Sequence, residues 1–172
     1  LAFGCSVWGA EGIEALHELV DFWKEPSGEV TNHELLRALA ATGKPVVLSS
    51  GMSTVEETKK AILQLLGCTA TALQCTSKYP CPPEEIGLLE VWRLGGFGGG
   101  QLGLSDHSGT PWPGICAAWM GLQMLEVHCC WSKEQSGPDA SSSLTIDELR
   151  QLVEGVRFVE RMRNNPVDKD KL

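Results

Sequence analysis

A chain of 172 residues, 42% hydrophobic and 21% charged, is long enough for one domain with a sizeable core. Its net charge of −8 argues against a nucleic-acid or anionic-membrane partner, but a small anion remains possible where local cations and backbone N–H groups line a pocket. The chain has neither an apolar run of ~18 residues nor a charged-then-apolar signal segment. Seven cysteines without a Cys-x-x-Cys pair read mostly as small buried hydrophobes of a reducing cytosol, so a cytoplasmic location is expected.

In chain order, Leu1–Ser6 reads as a strand already in mid-fold. Glu11–Leu19 follows as a helix with Ile13, Leu16 and Leu19 on one face and His17 on the solvated side. Val20–Trp23 is a strand running into Lys24, and Pro26–Glu29 a polar turn. Thr31-Asn32 caps a helix that carries Leu35, Leu36 and Leu39 and is closed by Gly43. Val46–Leu48, with no polar alternation, is a strand buried on both faces and ends in Ser49-Ser50-Gly51. Ser53 or Thr54 then caps a helix through Leu66, with a glutamate placed for a capping box. Ala70–Leu73 is the next strand, followed by a Pro-rich loop and a helix over Glu84–Leu94. Gly95–Gly100 is a flexible connection and lacks the Lys-Ser/Thr of a nucleotide-binding loop. Leu102–Leu104 is a strand ending in Ser105-Asp106-His107; an Ala/Trp/Met helix leads to a strand over Met124–Val127, ending in His128. A long loop, Ser132–Ser143, precedes a closing helix, Ile146–Met162, with Leu149, Leu152, Val153, Val156 and Val159 inward.

This alternation predicts an α/β fold with six parallel strands. Nearly every strand ends in Ser, Thr, Lys or His, the arrangement of a (β/α)8 barrel, whose site is built from loops at the C-terminal ends of its strands. Six strands do not close that barrel, so two N-terminal strand-helix units are expected to be missing. Both ends look cut, with residues 1–163 a partial barrel and 164–172 the start of a linker. His107 and His128 stand at equivalent ends of adjacent strands, ~4.8 Å apart, and can converge. Either ring alone reads as a hydrogen-bonded core residue; the pair reads equally as a divalent-metal site. Ser6, Ser27, Ser49, Ser77 and Ser105, with Lys24, suit a phosphate, although each serine alone also reads as a turn or cap.

Six motifs occur in an order that resembles the sialic acid (N-acetylneuraminate) synthase family, including the legionaminate and pseudaminate synthases. They are Lys24-x-x-Ser27-Gly28-Glu29-x-Thr31-Asn32, Gly43 through Met52, Gln74 through Pro80, Gly103 through His107, Leu125-Glu126-x-His128 and Gly137-Pro138-Asp139. The match runs from about Ser6 to Arg161. The resemblance implies a phosphoenolpyruvate-condensing barrel, normally followed by an antifreeze-like domain, absent here. It also implies a transferase reaction: C3 of phosphoenolpyruvate attacks the aldehyde of an open-chain N-acetylated hexosamine such as N-acetylmannosamine, and water attacks C2 to release phosphate. By the same resemblance, His107 and His128 are catalytic metal ligands, for Mn²⁺ sooner than Mg²⁺. Lys24, Ser27, Ser49, Ser77 and Ser105 bind phosphoenolpyruvate, with Ser6 where threonine is usual, and Glu29 is an active-site carboxylate. Tyr79 and Asp139 contact the acylated sugar. A homodimeric parent is expected.

The chain departs from the pattern at Val7-Trp8, Glu25-Pro26, Val127 and Cys129-Cys130. A carboxylate after Lys24 weakens anion binding unless it points away from the site. The alternatives are another phosphoenolpyruvate-dependent 3-deoxy sugar acid synthase and a catalytically inactive remnant. The 172-residue stretch by itself is expected to be inactive, because the resemblance places a glutamate and a second lysine on the absent strands.

Overall fold

The computed structural model describes residues 1–95 and 100–171. Six strands form one sheet: β1 (Gly4–Cys5), β2 (Phe22–Glu25), β3 (Val46–Ser49), β4 (Ala70–Cys75), β5 (Gln101–Asp106) and β6 (Met124–Val127). All neighbours pair in parallel and the order is strictly sequential. A doubly wound sheet reverses its order at a switch point; an unbroken sequence is the wall of a (β/α)8 barrel, as the sequence predicts. The wall curls. β4 and β6 approach within 8 Å between Cα atoms, whereas two flat strand spacings would hold them ~9.6 Å apart.

The connecting helices are α1 (Ala10–Leu16), α2 (His33–Ala41), α3 (Val55–Gln64), α4 (Val91–Leu94) and α5 (Trp112–Met120), and α6 (Ile146–Asn164) closes the chain. Their ends are set by local chemistry. The Asn32 side chain accepts from the Leu35 N–H, and Gly43 follows α2 at φ 74°, where a side chain would be strained. Of the two candidate caps for α3, Thr54 performs the role in a reciprocal capping box with Glu57, while Ser53 donates to the Ser50 carbonyl. A second capping box, Thr145 with Glu148, starts α6.

The central core fills the space between the sheet and the first helices. Trp23, Leu36, Leu39 and Val46 are fully buried, with Val20, Leu35, Leu48, Ala61 and Leu65 around them. Each large side chain withdrawn from water contributes ~1.5–3 kcal/mol. Trp23 also satisfies its polar atom, donating from Nε1 to Thr42 Oγ1 at 3.0 Å.

Several expectations change. α1 ends at Leu16, so Leu19 lies in the following turn at 65% exposure and Val20 takes the inward position. The helix expected over Glu84–Leu94 is broken, because Gly87 adopts φ 63° and leaves two 3-10 turns and the short α4. Along α6 the buried residues are Leu152 and Val159, while Val153 is exposed. The loop at Ser132–Ser143 is flanked by a small parallel pair, β7 (Cys129–Cys130) and β8 (Leu144–Thr145). Cys75, Cys81 and Cys130 are buried as expected, but Cys116 and Cys129 are exposed. The glycine-rich connection has its centre, residues 96–99, outside the described residues. Among the described residues no helix is long and apolar enough to cross a membrane.

Candidate active site

β2 runs through Glu25, so Lys24 lies inside a strand whose residues alternate between the two sheet faces. Trp23 and Glu25 therefore face the core, and Phe22 and Lys24 face the other way. Lys24 lines a cleft of about 350 Å³ at the C-terminal ends of the strands. The cleft is in the size range of small-ligand sites. Ser6 follows β1, Ser27 follows β2, Ser49 ends β3, Ser77 follows β4 and Ser105 lies in β5, and all five line the same cleft, as do Tyr79, His107 and His128. Nine of the residues singled out from the sequence thus converge on one space.

Two do not line it. Glu29 sits in the turn after β2, its carboxylate accepting from Asn32 Nδ2 at 2.9 Å. Asp139 lies behind His128, with Oδ2 3.8 Å from Nδ1.

The curl of the wall sets up the contacts across the cleft. Ser49 Oγ on β3 donates to Glu126 Oε2 on β6 at 3.1 Å, although three flat strand spacings would separate them by ~14 Å. The same carboxylate oxygen stands 3.7 Å from Lys24 Nζ, which also donates to the Glu25 carbonyl at 2.9 Å. Burial pulls the Lys24 pKa down, and the charge of Glu126 is the largest influence opposing that shift. Glu126 escaped the sequence reading as a site residue. The available signal was an acidic residue in an apolar strand two positions before His128, and so on the same face.

Cys75 was likewise passed over. Its Sγ lies 3.6 Å from Ser27 Oγ and 3.8 Å from His107 Nδ1. Gly51 completes this corner: its N–H donates to Ser27 Oγ at 3.0 Å, and a Cβ there would lie 2.7 Å from Cys75 Sγ.

Glu25 answers the question raised by its position after Lys24. It points away from the cleft, is fully buried, and neither carboxylate oxygen has a hydrogen-bond partner among the described residues. Burial, reinforced by the Glu29 carboxylate and opposed by Lys24, pushes its pKa from 4.5 up to about 8. Near neutral pH it is a protonated acid and takes no charge from Lys24.

At the histidines, Nδ1 of His107 lies 3.3 Å from the Thr76 carbonyl and Nε2 lies 3.0 Å from Tyr79 Oη. Burial, with His128 adding to it, lowers the His107 pKa and favours the neutral ring that can ligate a metal. Burial also raises the Tyr79 pKa, so its hydroxyl keeps its proton. The two imidazole centroids are 5.2 Å apart. Among the described residues no three His, Cys, Asp or Glu side chains are grouped to hold a metal ion. The two imidazoles would fit a divalent metal whose remaining ligands came from water or substrate. Asp106, buried on the other face of β5, accepts from the N–H and hydroxyl of Ser108 and fixes the loop that follows His107.

The wall and its rim define a (β/α)-barrel fold with a candidate site at the C-terminal ends of its strands. Residues 1–168 match the NeuB family model, and the chain belongs to that family. Human N-acetylneuraminate-9-phosphate synthase is 38% identical over 160 residues, covering 90% of this chain and 44% of that protein. The N,N'-diacetyllegionaminic acid synthase of Campylobacter jejuni is 31% identical over 175 residues, covering 98% and 52%. The crystal structure of the spore coat polysaccharide biosynthesis protein SpsE from Bacillus subtilis superposes with a TM-score of 0.89 at 26% identity, covering 98% of this chain and 50% of that one. The chain thus spans about half the length of the curated relatives it matches.

Proposed function

We propose that the protein is a nonulosonic acid synthase, condensing phosphoenolpyruvate with an N-acylated amino sugar and releasing phosphate. The observation that carries this reading is the convergence of Lys24, the strand-end hydroxyls and the two histidines on one cleft. Lys24, the cation of the described cleft lining, pairs with a phosphate or carboxylate oxygen, and Ser27, Ser49, Ser77 and Ser105 supply donors to the rest. Glu126 holds Lys24 and Ser49 in place before the anion arrives. His107 and His128 would hold a divalent metal, Mn²⁺ in preference to Mg²⁺ because imidazole nitrogen suits the softer ion. When bound, that metal supplies Lewis-acid polarisation of the sugar aldehyde. Tyr79, beside both rings, and Asp139, beside His128, would contact the sugar. Glu29, in the 3-10 turn that follows β2, would serve as a carboxylate near the reacting centre. Seven free thiols support a reducing, cytoplasmic setting.

The test is phosphate release from phosphoenolpyruvate in the presence of N-acetylmannosamine or its 6-phosphate, with Mn²⁺, and identification of the nine-carbon product. Turnover that requires both substrates supports the reading. Condensation only with unacylated aldose phosphates would move the protein to the 3-deoxy sugar acid synthases. No release under any of these conditions by a form in which the barrel is closed would make it a remnant.

A further inference from the structure

Three rings close one end of the cleft as a triangle, with centroids separated by 4.2 Å between Tyr79 and His107, 5.7 Å between Tyr79 and His128, and 5.2 Å between the two histidines. Hydrogen-bond chemistry settles which atom carries which proton. The Thr76 carbonyl, 3.3 Å from His107 Nδ1, can only accept, and the Cys75 thiol is a weaker partner of the same nitrogen at 3.8 Å, so we assign the ring hydrogen to Nδ1 and the lone pair to Nε2. Tyr79 Oη, 3.0 Å from Nε2, is then the donor. The nitrogen available to a cation is the one the tyrosine already covers.

We propose that Tyr79 is a positioning residue that occupies the His107 lone pair until a divalent cation takes it, so that cation binding releases the Tyr79 hydroxyl into the cleft. This rests on the metal reading of the histidine pair given above. One lone pair cannot serve both partners, so the cation must break the tyrosine bond, and its affinity is lowered by the strength of that bond. The freed hydroxyl regains a donor and an acceptor beside His128, available to a polar group of the second substrate. Binding free energies are reciprocal, so a sugar that engages the released hydroxyl tightens the cation and the cation tightens the sugar.

Mn²⁺ titration by calorimetry on the natural protein, Tyr79→Phe and His107→Ala, each with and without N-acetylmannosamine, tests this without measuring turnover. Phenylalanine keeps the ring packing and removes the competing hydrogen bond; thermal melts check that the variant is folded. Tyr79→Phe should bind Mn²⁺ about three- to tenfold more tightly than the natural protein, the range of one neutral hydrogen bond. N-acetylmannosamine should tighten Mn²⁺ more in the natural protein than in Tyr79→Phe, which keeps only the direct contact of sugar and metal. Equal or weaker Mn²⁺ binding by Tyr79→Phe, with His107→Ala impaired, overturns the inference and leaves the metal site standing. If His107→Ala binds Mn²⁺ as the natural protein does, the metal reading falls, and the role of Tyr79 falls with it.

Discussion

Glu25→Gln should make the protein more stable, and by an amount that grows with pH. Glu25 is fully buried between the sheet and the helices with both oxygens unpartnered, and its pKa stands at about 8 in the fold against an ordinary 4.5. Between those two values the folded chain keeps a proton that the unfolded chain has released. Stability therefore falls as pH rises from 4.5 to about 8 and levels off above. At ~1.36 kcal/mol per pH unit the effect reaches about 3 kcal/mol at pH 7 and about 5 kcal/mol above pH 8. Glutamine has nearly the shape of the neutral acid and does not titrate, so the two proteins should melt together near pH 5 and separate as the pH rises. For a domain of this length about 3 kcal/mol corresponds to roughly 10 °C in Tm. Other groups are shifted too, Lys24 and His107 downward and Asp106 upward, but they are common to both proteins and largely cancel in the difference. Melts followed by circular dichroism from pH 5 to 9 make the comparison. Parallel Tm curves across that range would show that Glu25 is solvated or paired, and the reasoning from its burial would be wrong.

Lys24→Ala should raise the KM for phosphoenolpyruvate about ten- to hundredfold, since a hydrogen bond to a charged partner contributes ~1.5–3 kcal/mol; an equal rise for the sugar would assign Lys24 a structural role. His128→Ala should abolish tight Mn²⁺ binding, because a single imidazole is too small a ligand set, and calorimetry reads the result directly. Gly51→Ala should weaken phosphoenolpyruvate binding: its φ does not lie in the left-handed region, but the new methyl would collide with Ser77 and Ser27 of the cleft and with the buried Cys75, and must push them aside. Unchanged KM in that variant would show that the corner has room to give. The 172-residue chain assayed by itself should release no phosphate, because β1 and β6 each pair on one side only among the described residues; activity equal to that of a longer form would refute this.

Much of this protein is legible along the chain. Strand and helix alternation, the helix caps at Asn32 and Thr54, the stop at Gly43 and the polar residues at successive strand ends all follow from interactions within a few positions, so the sequence by itself determined the parallel wall and the chemistry along its rim. Local parity was harder. Moving the start of β2 from Val20 to Phe22 leaves the alternation intact but brings Lys24 and Glu25 inside the strand, and only the packed sheet shows that one faces the cleft and the other the core. The break at Gly87 and the exposure of Leu19 likewise depend on what each segment packs against. Glu126 was the least accessible. Its contacts with Ser49 and Lys24 exist because the sheet curls enough to bring β6 across to β3 and β2, and that curvature accumulates over every strand register between them. No short stretch of sequence contains that sum, so tertiary structure alone decided which rim residues touch.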